Sequence, residues 1–311
     1  MPLFDFDAAV TAPFRMQPGL RRLDKGSAQL TPLEPGSRHQ REKLAVLSAY
    51  APQALCAAPG FDAGHALAAL CSLAAAEQPL AWAWDGRCAQ ALLLGVAATS
   101  AGDVEQLAAG AFGLGDEIGR CLQGLPAGWR LAGLLSLAFA EDFCLLDAPS
   151  GCVPWLAVCL PSHWAPEDKV GRHFTAIHAP VADNTLLLRA TDSLLKLVTG
   201  PEHWERFVWN VTDQPQLHAH PAHTDPDRWS NVSLDRAWLR SERQTFIPLT
   251  DQAQAWFTIG VDLHPLADVV QVPGRAAALH AAIASMSPAV LAYRGLARVR
   301  PQLLAWLEQR A

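Results

Sequence analysis

Three histidines fall within one irregular segment, residues 161–181, and one of them has the surroundings of a ligand. His178 lies between Ile177 and Ala179, so its immediate neighbours are apolar. A neutral imidazole in such a place can bind a metal ion or a haem iron if its second ring nitrogen finds an acceptor. The alternative is an ordinary core histidine, which spacing alone favours. His173 lies five residues earlier and lacks the spacing that places two ligands on one helix face.

Two pairs of adjacent charged residues in stretches that are otherwise apolar are candidates for acid–base chemistry. In the pair Glu141 and Asp142, only one side chain can enter the interior if the segment is a strand, because neighbouring strand residues face opposite ways. Glu242 and Arg243 raise the same question. A buried carboxylate must be paired, hydrogen-bonded or protonated, so it is either a site residue or half of a structural ion pair. Arg243 and Lys169 are possible partners, and structural pairing best explains at least one of the pairs.

A third group of polar residues resembles a metal-binding tract. His218, His220 and His223 are followed closely by Asp225 and Asp227. Short polar loops reach this composition readily, and no cysteine or Glu-x-x-His partner accompanies it. We therefore interpret the tract as a surface loop, with adventitious metal binding as the minor alternative.

The motifs of several common enzyme classes are absent from the sequence. It has no Gly-x-Ser-x-Gly elbow, phosphate loop, zinc-protease helix or dinucleotide fingerprint. The seven cysteines form no Cys-x-x-Cys pair, which argues against a disulfide framework, a zinc site and an iron–sulfur site. These observations give no support to a hydrolase, kinase or dehydrogenase.

Charge and hydropathy restrict the partners and the location. The net charge of −6 is spread along the chain, and no basic cluster suited to phosphates is present, so nucleic acid is not an expected partner. No apolar run has the length needed to cross a bilayer. The first residues lack the basic region and apolar stretch of a secretion signal. We therefore expect a cytoplasmic protein without a membrane association.

The elements that must position these residues suggest one α+β domain. Apolar periodicity predicts helices over 42–55, 63–76 and 103–122, a mixed helical stretch over 186–211, and helices over 275–285 and 301–308. Apolar runs separated by turn residues predict strand pairs at 130–147 with 152–160, and at 242–249 with 255–263. This order indicates an antiparallel sheet covered on one face. Within a single domain spanning 1–311, we distinguish a mainly helical part (1–128), a sheet core (129–270) and C-terminal helices (271–311).

Several ordered motifs resemble the haem-dependent oxidative N-demethylase family, and together they span nearly the whole chain. The strongest is Pro161-Ser162-His163-Trp164, then Lys169-Val170-Gly171, then Ile177-His178-Ala179-Pro180-Val181. The second is Ser241-Glu242-Arg243-Gln244-Thr245-Phe246. The remaining motifs are Pro13-Phe14-Arg15, Ala140-Glu141-Asp142-Phe143, Tyr293-Arg294-Gly295-Leu296 and Leu304-Ala305-Trp306-Leu307.

The resemblance implies a PAS-like sheet core that cradles a haem b, the iron cofactor of a monooxygenase similar to the haem subunit of dimethylamine monooxygenase. It implies oxygen chemistry that converts a small secondary alkylamine such as dimethylamine to a primary amine and formaldehyde. Members of the family receive electrons from a reductase that carries flavin and an iron–sulfur centre. Since this chain has no cysteine spacing for such a cluster, the reductase must be another polypeptide.

The resemblance also implies roles for individual residues. His178 is the expected axial iron ligand, and Lys169 and Arg243 are expected to balance the haem propionates. Trp164 belongs to the strongest motif and is expected to contact the cofactor. Glu141 or Glu242 is expected to bind the substrate ammonium or to relay a proton.

Some positions depart from the family pattern and leave a second function open. Val208 stands where the family tends to have a polar residue, and residues 259–263 lack an arginine and a tyrosine that are usual there. These departures favour a PAS-like haem or small-ligand binding or sensory protein without turnover. The histidine and Glu-Arg-Gln-Thr motifs favour the enzyme.

Overall fold

The computed structural model describes residues 4–24, 26–230 and 233–311, and it begins with short elements and helices. In chain order these are α1 (Phe6–Ala9), β1 (Arg21–Arg22), α2 (Arg38–Ala49), α3 (Ala51–Ala54), β2 (Leu55–Ala57) and α4 (Gly64–Glu77). Helix α2 begins where the Ser37 side chain accepts a hydrogen bond from the backbone N–H of Gln40, which satisfies one of the free donors of the first turn.

A small antiparallel sheet and two helices follow. The strands β3 (Trp82–Trp84), β4 (Cys88–Ala91), β5 (Val96–Thr99) and β6 (Val104–Gln106) pair in chain order. Helices α5 (Glu117–Gly124) and α6 (Ala127–Ala138) then lead to the larger sheet. The predicted helix over 103–122 is therefore wrong in its first part. Val104–Gln106 pairs with β5, and Gly110, Gly113 and Gly115 interrupt the chain before α5, because glycine disfavours a helix interior.

The larger sheet is antiparallel throughout and positions the candidate site. Its remaining strands are β7 (Glu141–Asp147), β8 (Cys152–Ala157), β9 (Trp204–Thr212), β10 (Trp238–Leu249) and β11 (Gln254–Pro265). The spatial order is β1-β9-β10-β11-β7-β8-β2. Between β8 and β9 lie α7 (Phe174–His178), α8 (Thr185–Arg189) and α9 (Thr191–Val198), and the chain ends with α10 (Leu266–Val269), α11 (Arg275–Ala284), α12 (Pro288–Tyr293) and α13 (Arg300–Glu308). The predicted α+β class with an antiparallel sheet is confirmed.

Two predicted elements differ from the structure for physical reasons. Residues 127–138 form a helix and only Glu141–Asp147 is a strand, because a continuous apolar run does not distinguish a buried helix from a buried strand. Residues 204–212 form β9 and not a helix. The strand pairs 152–157 with 141–147 and 238–249 with 254–265 agree with the predicted pairs.

The register of β9, β10 and β11 divides the larger sheet into two faces. Glu242 pairs with Val208 on one side and Val261 on the other, so these three side chains share one face. We call it the Glu242 face and the opposite one the Arg243 face. Helix α4 contacts the Arg243 face, where the Trp256 indole donates to the Ala66 carbonyl at 3.0 Å.

Two hydrophobic clusters hold the molecule together. The first joins α2, α4, α6 and both sheets, with Leu134, Leu145 and Trp256 fully buried. The second joins the ends of β9 and β10 to α1 and to α10–α13. Within the described residues, none of the helices has both the length and the apolarity to cross a membrane.

Candidate functional site

His178 is the last residue of the short helix α7, and a hydrogen bond holds its ring in one tautomer. Nδ1 lies 2.8 Å from the Phe174 carbonyl oxygen, and because a carbonyl can only accept, Nδ1 carries the proton. The ring also packs on Phe174, with centroids 4.0 Å apart. Burial lowers the pKa of His178, and the nearby cations Arg206 and Lys169 lower it further. His178 is thus a neutral imidazole whose Nε2 lone pair is free for a ligand.

Arg206 provides a positive charge beside His178 on the Glu242 face. Its Nε atom is buried without a hydrogen-bond partner among the described residues, and within those residues the guanidinium forms no salt bridge. Burial lowers the pKa of Arg206, while Glu242 and Tyr293 oppose the shift. The residue as a whole is half-buried, and desolvating a cation without an ion pair costs free energy, so this arginine is suited to an anionic group that joins the site.

Glu242 lies in the same part of the sheet and is held by donors on both of its oxygens. Ser162 bonds Oε1, and the Gln244 amide donates to Oε2 at 2.6 Å. Arg240 Nε in turn donates to the Ser162 hydroxyl at 2.7 Å. Glu242 itself is nearly buried, with 8% of its surface exposed. The arrangement produces a fixed carboxylate near Arg206.

The Glu242 face is incompletely covered at this place. Arg206, Val208, Gln244 and Phe257 lie in the middle of the sheet and yet are only half-buried. On the Arg243 face of the same strands, Thr245 is 1% exposed and Trp256 is fully buried. The partial exposure indicates that this part of the Glu242 face is covered less closely than the Arg243 face.

Lys169 and Trp164 lie in the segment that precedes His178. Lys169 follows a 3-10 turn over Pro166–Asp168, and its ammonium is close enough to lower the pKa of His178. Trp164 is half-buried and packs against the first hydrophobic cluster. The charges of Lys169 and Arg206 both act on His178, and the charge of Glu242 acts on Arg206.

Glu141 and Arg243 belong to the Arg243 face, opposite the face that carries Glu242 and Arg206. Arg243 Nε forms a 2.8 Å ion pair with Glu205. Glu141 accepts from the Thr31 backbone N–H at 2.9 Å, and burial raises its pKa. Both line a cavity of about 20 Å³, which has room for a single water molecule. Their contacts are those of structural residues.

The His218 tract is more buried than a surface loop would be. His220 is 3% exposed and pairs with Glu167 at 3.1 Å, while the rings of His218 and His220 stack with centroids 6.0 Å apart. Among the described residues, no three His, Cys, Asp or Glu side chains are grouped as metal ligands. The surface-loop prediction is therefore wrong for His220, because its ring is buried against Glu167 and the neighbouring histidines.

Sequence reasoning missed several residues of this region. Arg206 was assigned to a helical stretch, and only its place in β9 puts it on the same face as Glu242. Tyr293 and Arg294 lie within electrostatic range of Glu242 and Arg206, and Asn210 donates to the Arg294 carbonyl at 3.0 Å. Tyr293 and Arg294 could have been found from the Tyr293-Arg294-Gly295-Leu296 motif, which the resemblance already contained.

A separate hollow of about 500 Å³ is lined by Asp213, Pro215, Asp235, Arg236, Ala237, Trp238 and Pro265. None of the predicted site residues belongs to that lining. The histidine, the unpaired arginine and the held carboxylate therefore make the Glu242 face the better candidate.

Comparison with known proteins agrees with the resemblance. A family model described as haem-dependent oxidative N-demethylase, alpha subunit-like, matches residues 130–304, which is more than half of the chain. The matched range contains the large sheet from β7 to β11, the segment that carries His178, and Tyr293.

Proposed function

The chain belongs to the family of haem-dependent oxidative N-demethylase alpha subunit-like proteins, and from this membership we propose that it oxidatively demethylates a small secondary alkylamine. In the proposed reaction, R–NH–CH₃, O₂, two electrons and two protons give R–NH₂, formaldehyde and water. The electrons come from a separate reductase that carries flavin and an iron–sulfur centre. We further propose that the sheet core, residues 129–270 of a single domain, is PAS-like and takes haem b on the Glu242 face.

One observation carries the proposal: His178 is a neutral imidazole that feels the charge of Arg206, and within the described residues that half-buried arginine forms no salt bridge. Haem needs both features, since its iron takes an imidazole nitrogen and its propionates need cations. We propose that His178 ligates the iron and that Arg206 and Lys169 balance the propionates. Trp164 would pack against the cofactor.

The chain's own residues have distinct tasks in this proposal. Bound haem supplies the redox chemistry that activates O₂. The hydrogen bond from Nδ1 to the Phe174 carbonyl orients the His178 ring and makes the Nε2 lone pair more basic as a metal ligand. Glu242 binds the substrate ammonium, and its donors Ser162 and Gln244 fix where that charge sits. Glu141 and Arg243 keep structural roles on the other face.

An absorption spectrum of the purified protein tests the cofactor. We expect a Soret band after haem addition to the wild type, and its loss or a shift in His178→Ala, because the variant removes the proposed ligand. His65→Ala is the matched control, since His65 forms an exposed pair with Asp251 and should leave the band unchanged. A wild type that takes up no haem would contradict the proposal.

Turnover is tested on the haem-loaded protein with dimethylamine and an electron donor. Formaldehyde release that depends on O₂ is the expected result. Haem binding without formaldehyde from any small methylamine would instead support a binding or sensory protein, with Val208 opposite Glu242 as the first position to examine.

A further inference from the structure

The hydrogen bonds around Glu242 form a chain that runs from Arg240 through Ser162 to the carboxylate. Arginine has no acceptor, so Arg240 Nε must donate to the Ser162 oxygen. Ser162 also hydrogen-bonds Glu242 Oε1, and with Arg240 on one Ser162 lone pair its hydroxyl proton is placed to be donated to that oxygen. The Gln244 amide nitrogen donates to Oε2. In this arrangement both oxygens of Glu242 accept hydrogen bonds.

Arg240 is immobilised, and this fixes Ser162 in turn. The guanidinium is 3% exposed, and its terminal nitrogens contact the carbonyl oxygens of Leu160, Pro161, Gln216 and Leu217 at 2.8–3.2 Å. These carbonyls belong to two chain segments that meet beside β10. The orientation of the Ser162 hydroxyl thus depends on backbone groups that are themselves held in place.

The count of free acceptor positions selects a class of ligand. An ionised carboxylate has about four lone-pair positions, and Ser162 and Gln244 occupy two of them. A secondary ammonium ion has two N–H donors, a tertiary one has one, and a quaternary one has none. The two remaining positions of Glu242 are enough to accept both N–H donors of a secondary ammonium ion.

Building on the proposed function, we propose that Ser162 is a positioning residue that holds Glu242 as an ionised acceptor for a secondary ammonium substrate. Glu242 then acts by binding charge and not as an acid that donates a proton. Ser162 acts through Glu242 and does not itself contact the reacting atoms.

Calorimetric titration with dimethylammonium and tetramethylammonium tests this role in the wild type, Ser162→Ala and Ser162→Thr. We expect Ser162→Ala to weaken dimethylammonium binding about tenfold or more, because a hydrogen bond to a charged group is lost. Ser162→Thr keeps the hydroxyl and should stay within about threefold of the wild type. Tetramethylammonium should bind more weakly than dimethylammonium to the wild type, since it offers no N–H donor.

Ser241→Ala is the matched control, because Ser241 precedes Glu242 in β10 and points to the other face. It should leave the affinity unchanged. Equal dimethylammonium affinity in the wild type and Ser162→Ala would overturn the inference, as would equal weakening in the alanine and threonine variants. The titration is run with and without added haem and the Soret band is recorded separately, so a failure of haem uptake is distinguished from a failure of this inference.

Discussion

At the scale of single residues, the candidate site combines a neutral histidine with a cation, Arg206, that forms no salt bridge with the residues the structure describes. Burial and neighbouring positive charge keep His178 unprotonated, which iron ligation requires. The same burial makes Arg206 costly to the protein without a bound anion. Removing the arginine should therefore weaken haem binding but leave the stability of the haem-free polypeptide unchanged or higher.

Arg206→Met should weaken haem binding about tenfold or more, because a charge-assisted contact to a propionate is lost. The haem-free variant should unfold at the same urea concentration as the wild type or a higher one, since an unpaired buried charge has been removed. Haem titration followed by absorption and urea unfolding followed by circular dichroism measure the two effects.

Arg243→Met is the control for this comparison. Arg243 pairs with Glu205, so its loss should lower stability and leave haem affinity unchanged. Weaker haem binding in Arg243→Met than in Arg206→Met would contradict the assignment of the Glu242 face.

His178 could be singled out from the sequence, whereas Arg206 could not. The apolar neighbours of His178 and its place in an irregular segment are visible along the chain. Arg206 acquires meaning only from its register opposite Gln244 in β10. Local sequence does not record which strand lies beside another, so the partner of a buried charge is hidden until the sheet is known.

At the scale of elements, a buried ion pair ties α2 to the start of β7. Lys43 Nζ lies 3.1 Å from Asp142 Oδ1, and both side chains are fully buried. The ammonium also donates to the carbonyls of Phe139 and Glu141 at 3.0 and 2.7 Å, while Asp142 accepts from the Leu160 N–H. These bonds hold the start of β7 and Leu160, the residue that precedes the segment 161–181 with His178.

Lys43→Met should cost about 3–5 kcal/mol of unfolding free energy, because it leaves the Asp142 charge buried and unpaired. Adding Asp142→Asn removes that charge and keeps an acceptor for Leu160, so the double variant should recover part of the loss. Urea unfolding measures both.

Arg120→Ala is the surface control for this pair. Arg120 is more than half exposed in its bridges to Asp116 and Glu117, and its removal should change stability by less than about 1 kcal/mol. A Lys43→Met variant as stable as the wild type would show that the buried pair contributes nothing.

Elements with alternating patterns were predicted well, and those in continuous apolar runs were not. The pairing of β10 with β11 follows from two patterned segments around a short polar turn. Helix α6 was taken for a strand because Leu131–Ala138 is apolar at nearly every position and is buried on all sides. Where every side of an element is buried, no periodicity remains to identify it.

At the scale of the whole molecule, several half-buried histidines make stability depend on pH. Burial lowers the pKa of His39, His178 and His218. It lowers that of His163 to about 4, with help from Arg228 and Arg240. The unfolded chain binds protons at these residues below about pH 6.5, whereas the folded chain binds them only at lower pH. The contribution of these histidines to the free energy of unfolding therefore falls as the pH drops below about 6.5.

His163→Asn should flatten this dependence. The residue has φ +61°, a conformation that asparagine tolerates better than most side chains. Without the imidazole, the loss of unfolding free energy between pH 7 and pH 5 should be smaller by on the order of 2 kcal/mol. Urea unfolding across this range measures it, and parallel curves for the variant and the wild type would contradict the assignment.

The alternation of Glu242 and Arg243 along β10 has a consequence for how this strand can change in length. Inserting or deleting one residue before Glu242 in β10 would move its carboxylate to the packed Arg243 face and the Arg243 side chain to the Glu242 face. The reason is that side chains alternate along a strand with a period of two. A change of two residues would preserve both environments. Insertions and deletions in β10 should therefore be accepted in even numbers, a constraint that no single substitution in the strand would reveal.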